Sequence, residues 1–127
     1  MRPETRLWLE QGEKDLEVAK RNHANKDYYV SVFFCQQAVE KSLKALFIEK
    51  KKLSAGTTHS LVYLGKEVEV PRKHFSLLQD LAPEFVATRY PDIADEAPYL
   101  LYNKQKSENY LERSSELLKW IHQQIKK

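Results

Sequence analysis

The chain has 127 residues, enough for one domain with a sizeable core, and we expect a single domain over residues 1–127. Its net charge of +3 permits an anionic partner without requiring one, and its single Cys35 excludes an internal disulfide and a thiolate metal cluster. No apolar run reaches the roughly 18–20 residues that span a bilayer, and the first residues are too polar for a secretory signal, so we expect a cytoplasmic protein without membrane association.

The first predicted helix runs from about Pro3 to Ala24, because Pro3 suits a first helical turn and apolar or small residues recur at helical spacing behind it. That stripe contains Trp8, Gly12, Leu16, Ala19 and His23. Residues 25–27 form the predicted turn, and Asp27 is the predicted N-cap of the next helix.

The second predicted helix, Tyr28 to Ile48, contains no Gly or Pro and is apolar on nearly every side. Such a helix belongs in the middle of a bundle. A basic run, Lys50 to Lys52, complements its C-terminal dipole, and Gly56 is the predicted turn position of the following loop.

The remaining elements are predicted to be shorter until the last. Thr58 is the predicted cap of a third helix, a fourth follows Pro71, and Ala87 to Leu101 reads as an ordered loop interrupted by prolines. The last helix is predicted from about Asn103 to Lys126. No segment alternates with period two, so the expected fold is all-α, an antiparallel up-and-down bundle of four to five helices.

A polar stripe on the central helix is the first candidate site. At about 100° per residue, Gln37, Lys41 and Lys44 share one meridian, and Glu40 can pair with Lys44 at i,i+4. One interpretation is an interior salt bridge, and the other is a cationic floor for an anion such as a nucleotide phosphate.

His59 and the segment after Arg89 are the other candidates. His59 lies at a predicted helix start, where an anion would be favoured. An isolated His more often fixes a loop by donating to a backbone carbonyl, which is the other interpretation. Arg89 could bind phosphate while Tyr90 stacks on a base, or Arg89 could pair with Asp92. Alternatively Tyr90 and Tyr99 plug the end of the bundle while Arg89 bridges to an acidic helix.

The sequence offers no catalytic, metal or cofactor motif. It has no phosphate-cradling glycine loop and no nucleophile elbow, and its four histidines lack the spacing of metal ligands. We therefore predict no cofactor and no metal, and name no catalytic residue.

Several short motifs in order resemble one known family. Trp8 precedes Glu13-Lys14-Asp15-Leu16, then come Tyr28-Tyr29, Phe34 to Lys41 (FCQQAVEK), Leu43 to Leu46 (LKAL), Thr58 to Leu61 (THSL), Arg89 to Asp92 (RYPD) and Trp120-Ile121. This succession resembles the HEPN domain (higher eukaryotes and prokaryotes nucleotide-binding) over essentially the whole chain.

The resemblance implies a homodimer that partners a small nucleotidyltransferase in toxin–antitoxin-like modules. Many members cleave RNA with an Arg followed by four to six residues and a His on the last long helix. Here eight residues separate Arg113 from His122, so that motif is missing. The leading hypothesis is accordingly a non-catalytic nucleotide- or anion-binding domain using Gln37, Lys41, Lys44, His59, Arg89, Tyr90 and Asp92.

Two alternatives stay open at this point. One is a metal-independent ribonuclease with a non-standard site, in which His59 is the acid or base and Arg89 stabilises the negative charge of the phosphorane. The other is a purely structural dimerisation module, whose polar stripe pairs with acidic groups such as Asp92, Asp95 or Glu96.

Overall fold

The structure is a computed structural model that describes the backbone of residues 1–127 and the side chains of all of them except residue 94. No β-strand occurs in this described backbone. Its elements in chain order are α1 (Pro3–Ala24), α2 (Tyr28–Lys51), α3 (Leu61–Glu67), α4 (Arg72–Leu81), α5 (Glu84–Ala87), α6 (Pro91–Ala94), a 3-10 helix (Pro98–Leu101) and α7 (Lys104–Lys126). The predicted all-α antiparallel bundle is confirmed.

The helices α1 and α2 form a closely packed hairpin. Lys26 takes a left-handed conformation in the turn, with φ of 67°, which reverses the chain within three residues. Gly12 of α1 lies directly against Ser42 of α2, and a Cβ at position 12 would collide with the Ser42 hydroxyl. Glycine at this position therefore lets the two helix backbones approach closely.

The helix α2 is the centre of the bundle and packs against α1, α3, α5 and α7. Its buried apolar residues point in several directions, which explains its nearly uniform hydrophobicity. They include Val32, Cys35, Val39, Leu43 and Leu46. Each fully buried Leu or Val contributes about 1.5–3 kcal/mol relative to an exposed position, so this helix supplies much of the stability.

The last helix, α7, closes the bundle against α2 and α1. The side chain of Asn103 accepts a hydrogen bond from the backbone N–H of Lys106, which caps the helix at its N-terminus. Its apolar stripe is buried and includes Tyr110, Leu117, Ile121 and Ile125.

Three local details differ from the sequence predictions. Ser60 rather than Thr58 caps α3, because its side chain accepts the Tyr63 N–H, while the Thr58 hydroxyl accepts the Ser60 N–H. Asp27 occupies the N-cap position of α2 but makes no side-chain capping bond. The segment from Ala87 to Leu101 is not one loop, since it ends α5 and contains α6 and the 3-10 helix.

Candidate functional site

The polar stripe of α2 does not form the floor of an open cleft. Lys41 reaches across to α1, where its Nζ lies 2.5 Å from Oδ2 of the buried Asp15. The other oxygen of Asp15 accepts a hydrogen bond from Gln11. Lys41 thus fastens the α1–α2 hairpin.

Lys44 is buried in a second ion pair. Its Nζ lies 3.3 Å from Oε2 of Glu40, and the two side chains are only 4% and 5% exposed. The ammonium also lies 5.0 Å from the centre of the Trp8 ring, where a cation is attracted to the aromatic face. The i,i+4 pairing expected from the sequence is therefore present, and it is the interior salt bridge.

Glu40 is also the end of a hydrogen-bonded chain along α2. Gln36 donates to Oε1 of Glu40 at 3.1 Å, and Gln37 donates to Gln36 at 2.7 Å. Gln37 therefore supports this buried network. Glu40 and Asp15 pair with the lysines in place of the acidic residues at positions 92, 95 and 96 considered from the sequence.

His59 joins the same carboxylate from outside. Its Nδ1 lies 3.0 Å from Oε2 of Glu40, while 61% of its side chain is exposed. The ring stacks on Phe85 of α5, with centroids 5.1 Å apart and planes inclined by 22°. His59 is thus held by a side-chain carboxylate and an aromatic ring.

Arg89 follows α5 and lies among aromatic rings. Its Nε donates to the carbonyl of Phe85 at 2.8 Å, and its guanidinium carbon lies 4.1 Å from the Phe85 ring centre. The Tyr90 and Phe33 rings lie 5.0 and 5.5 Å away. No carboxylate of a described side chain, including that of Asp92, forms an ion pair with this guanidinium.

Tyr90 and Tyr99 do not plug the end of the bundle. Both are largely exposed, as is Asp92 in the first turn of α6. Arg89 and Tyr90 thus lie together, whereas Lys41 and Lys44 are engaged elsewhere.

A cavity of about 550 Å³ lies beside Arg89, between the α1–α2 turn and the segment after α5. Its lining combines two cations and three tyrosines with one carboxylate, that of Asp27, and consists of Lys26, Asp27, Tyr28, Tyr29, Thr88, Arg89, Pro98 and Tyr99. The Tyr28–Tyr29 pair is part of the family resemblance in the sequence but is not among the predicted ligand-binding residues. The sequence feature that could have indicated this site is the position of the two tyrosines directly after the α1–α2 turn, which contains Lys26.

The model of the HEPN domain matches residues 5–125 of the chain. The chain belongs to the HEPN domain family. Among its relatives is the protein named "Putative toxin MJ1304" of Methanocaldococcus jannaschii, 28% identical over 138 residues, which cover 95% of this chain and 88% of that one.

Solved structures extend the likeness to the fold. The protein TT1696 from Thermus thermophilus superposes with a TM-score of 0.87 at 26% identity, covering 97% of this chain and 99% of that one. ST0689, described as an archaeal HEPN homologue, gives 0.82 at 26% identity over 98% and 99% of the two chains.

The last helix of this HEPN domain holds Arg113 and His122 apart. Nine residues along an α-helix correspond to roughly 13.5 Å, too far for both to contact one phosphate. Arg113 binds Asp80 at 2.9 Å, and His122 lies 3.0 Å from Glu13. In this chain, these two residues therefore do not converge.

A buried carboxylate anchors the segment that carries Arg89. Glu84 of α5 accepts a hydrogen bond from the Tyr102 hydroxyl at 2.8 Å, and Lys106 of α7 lies 3.7 Å from its other oxygen. Burial, followed by the Glu84 contact, raises the pKa of Tyr102 well above its usual range. Tyr102 therefore stays a neutral donor that ties α5 to the end of the chain's 3-10 helix.

The described side chains contain no group of three or more His, Cys, Asp or Glu residues placed to hold a metal ion. Likewise, no helix in the described part of the HEPN domain is both long and apolar enough to cross a membrane.

Proposed function

We propose that this HEPN domain reversibly binds a nucleotide, or a related phosphate-bearing anion, in the cavity beside Arg89. The observation that carries the proposal is a guanidinium with no carboxylate partner among the described residues, placed beside a cavity lined with tyrosines. Both chemical parts of a nucleotide, the anion and the flat base, have a complementary group here.

The phosphate is assigned to Arg89 with support from Lys26. The Phe85 carbonyl engages Nε, and the Phe85 ring centre lies 4.1 Å from the guanidinium carbon. The terminal N–H groups have no hydrogen-bond acceptor among the described residues, so a ligand can use them. A guanidinium in this state suits the two oxygens of a phosphate better than an ammonium does. Lys26 adds a second cation at the same cavity.

The base is assigned to the tyrosines. Tyr28, Tyr29 and Tyr99 line the cavity, and a base stacked on an aromatic side chain gains about 1–3 kcal/mol. The volume of about 550 Å³ falls within the range of roughly 300–1,000 Å³ that is usual for small-molecule sites.

The ligand set is accordingly revised. Arg89 remains a proposed ligand-binding residue. Tyr90 and Asp92, which lie in the exposed segment directly after it, also remain. The proposed set no longer contains Gln37, Lys41 and Lys44, because they belong to the interior networks of Asp15 and Glu40. It now contains Lys26 and the three tyrosines that line the cavity.

Calorimetric titration of the purified domain with a panel of nucleotides tests the proposal. Arg89→Gln should weaken binding about tenfold or more, since a hydrogen bond to a charged group is worth about 1.5–3 kcal/mol. Arg72→Gln is the matched control, because Arg72 is exposed at the start of α4 and does not line the cavity. Absence of binding by every nucleotide, or equal effects of both substitutions, would contradict the assignment.

We further propose that the domain partners a small nucleotidyltransferase in a toxin–antitoxin-like pair in the cytoplasm. Support comes from the family resemblance and from the name of the archaeal relative, which describes that relative as a toxin. The unpaired Cys35 fits a reducing compartment. Size-exclusion chromatography of the domain mixed with a nucleotidyltransferase encoded beside it should show a joint peak, and independent elution would count against the pairing.

We also propose a homodimer that forms through the exposed face of α7. Glu108 and Glu112 are exposed on its first half, Glu116 follows just past its midpoint, and Lys119 and Lys126 are exposed on its second half. A two-fold antiparallel contact would oppose acid to base at both ends, as an isologous interface requires. Grooves of about 570 and 440 Å³ between α1 and α7 run beside this face.

Sedimentation tests the dimer. Glu108→Lys should promote dissociation, and adding Lys126→Glu should restore the dimer, because the reversed charges oppose each other again across the two-fold axis. A monomer at every concentration, or no response to either change, would exclude this interface.

A second candidate function is cleavage of RNA, with His59 as acid or base. The specific observation is that Glu40 fixes the ring through Nδ1 while most of the side chain is exposed. An RNA cleavage assay that compares the wild type with His59→Ala tests this function. Equal background cleavage rates in both proteins would refute it.

A further inference from the structure

A buried carboxylate sets the chemical state of an exposed imidazole. An ionised carboxylate only accepts hydrogen bonds, so Nδ1 of His59 donates to Oε2 of Glu40 across 3.0 Å. In the neutral ring the lone pair is then on Nε2. Lys44 at 3.3 Å and Gln36 at 3.1 Å hold the carboxylate in turn, so Glu40 cannot swing away from the ring.

The nitrogen that carries the lone pair is unengaged. Among the described residues, Nε2 of His59 has no hydrogen-bond partner, and 61% of the side chain is exposed. Phe85 covers one face of the ring, and the guanidinium of Arg89 lies over the same phenyl ring. The result is an accessible nucleophilic atom with a fixed direction.

We propose that His59 is a phosphoryl-acceptor site, whose Nε2 takes a phosphoryl group from a small donor such as an acyl phosphate, a phosphoramidate or a nucleoside triphosphate. The Nε2 lone pair forms the N–P bond while the bond from phosphorus to the leaving group breaks, and the leaving group departs with that electron pair. The ring becomes cationic and keeps its Nδ1 proton. Glu40, 3.0 Å from Nδ1, stabilises this charge.

The chain contains an internal control for this chemistry. His122 also lies 3.0 Å from a glutamate, Glu13, but the contact uses Nε2 and the carboxylate is 50% exposed. The partner of His122 is thus neither desolvated nor held by a buried lysine. A general reactivity of surface histidines would label His122 as well as His59, whereas the proposed site favours His59.

The test is incubation of the purified protein with phosphoramidate and, separately, with acetyl phosphate. Labelling is followed by phosphorus NMR and by peptide mapping of the acid-labile, alkali-stable adduct. One phosphoryl group should appear on His59 at least about tenfold faster than on His122, and Glu40→Gln should slow it by about tenfold, because it removes the charge opposite the cationic ring. His59→Gln should abolish the fast phase, and His122→Gln should leave it unchanged.

A purely structural tie between Glu40 and His59 would give a different result. It would predict slow and equal labelling of both histidines, or none. In protein shown to be folded by circular dichroism, it would otherwise predict that Glu40→Gln leaves the rate of His59 labelling unchanged. Either result overturns the proposal. Because the assay needs neither RNA nor a bound nucleotide, its outcome is independent of the function proposed above.

Discussion

Replacing Lys44 with Met separates a structural stripe from a ligand-binding one. The change keeps most of the side-chain volume and removes the charge from a pair in which both partners are about 95% buried. It leaves Glu40 in the interior with only Gln36 and His59 as partners, and it removes the cation over Trp8. Nucleotide affinity should not change, because Lys44 does not line the Arg89 cavity.

The expected loss of stability is large. Removing one partner of a buried ion pair costs about 3–5 kcal/mol, and the two remaining hydrogen bonds to Glu40 favour the lower end, about 3 kcal/mol. With a urea m-value of about 2 kcal/mol per molar, the unfolding midpoint should fall by roughly 1.5 M. Lys51→Met, at the exposed end of α2, is the matched control and should change stability by no more than about 0.5 kcal/mol.

A double substitution sharpens the test. Glu40→Met in the Lys44→Met background removes the stranded charge, so the double variant should be more stable than Lys44→Met alone. A Lys44→Met variant that unfolds at the wild-type urea midpoint but binds nucleotide more weakly would refute a structural role for Lys44. That result would indicate that the polar stripe of α2 contacts the ligand.

Three further outcomes follow from the packing. Gly12→Ala should destabilise the domain by about 1–3 kcal/mol in thermal unfolding, since the new Cβ collides with the Ser42 hydroxyl, and adding Ser42→Ala should recover part of the loss. Burial raises the pKa of Cys35 to about 12, so a thiol reagent should label it only after unfolding, and native-state labelling at the rate of a free thiol would contradict this. Burial lowers the pKa of His74 below its ordinary 6.5, so the unfolded state binds more protons and stability should fall as pH drops below that value. His74→Gln should flatten this dependence between pH about 7.5 and about 5.5, as measured by urea midpoints.

The long helices could be read from the sequence because each has strong local signals. Pro3 and the turn at residues 25–27 bound α1, and Asn103 caps α7, so both helices lie where the pattern predicts. The short helices between Ala82 and Tyr102 could not be read in the same way. Four-residue helices have too few turns for periodicity, and there the prolines begin α6 and the 3-10 helix instead of interrupting structure.

The candidate site was harder to predict from the sequence, because the residues that meet there are distant from one another in the chain. The Glu40–Lys44 pair could be read at i,i+4, but Asp15 lies 26 residues before Lys41, and nothing local indicates that pairing. The same holds for the cavity, where Tyr28 and Tyr29 meet Arg89 only because α5 packs against α2. Spacing along a helix shows which residues share a face, but not which acids the neighbouring helices bring to it.

The placement of carboxylates is what divides the cations of this domain into two kinds. Lys41 and Lys44 meet Asp15 and Glu40 in the interior, where a buried charge without a counter-charge costs several kcal/mol. Arg89 meets aromatic rings and a carbonyl instead, so its charge is positioned but not neutralised by a described residue. A binding anion can contribute the missing counter-charge only at the second kind of cation. Arg89 rather than the α2 stripe is therefore the position where a phosphate gains most, and nucleotide binding should respond to Arg89→Gln and not to Lys44→Met.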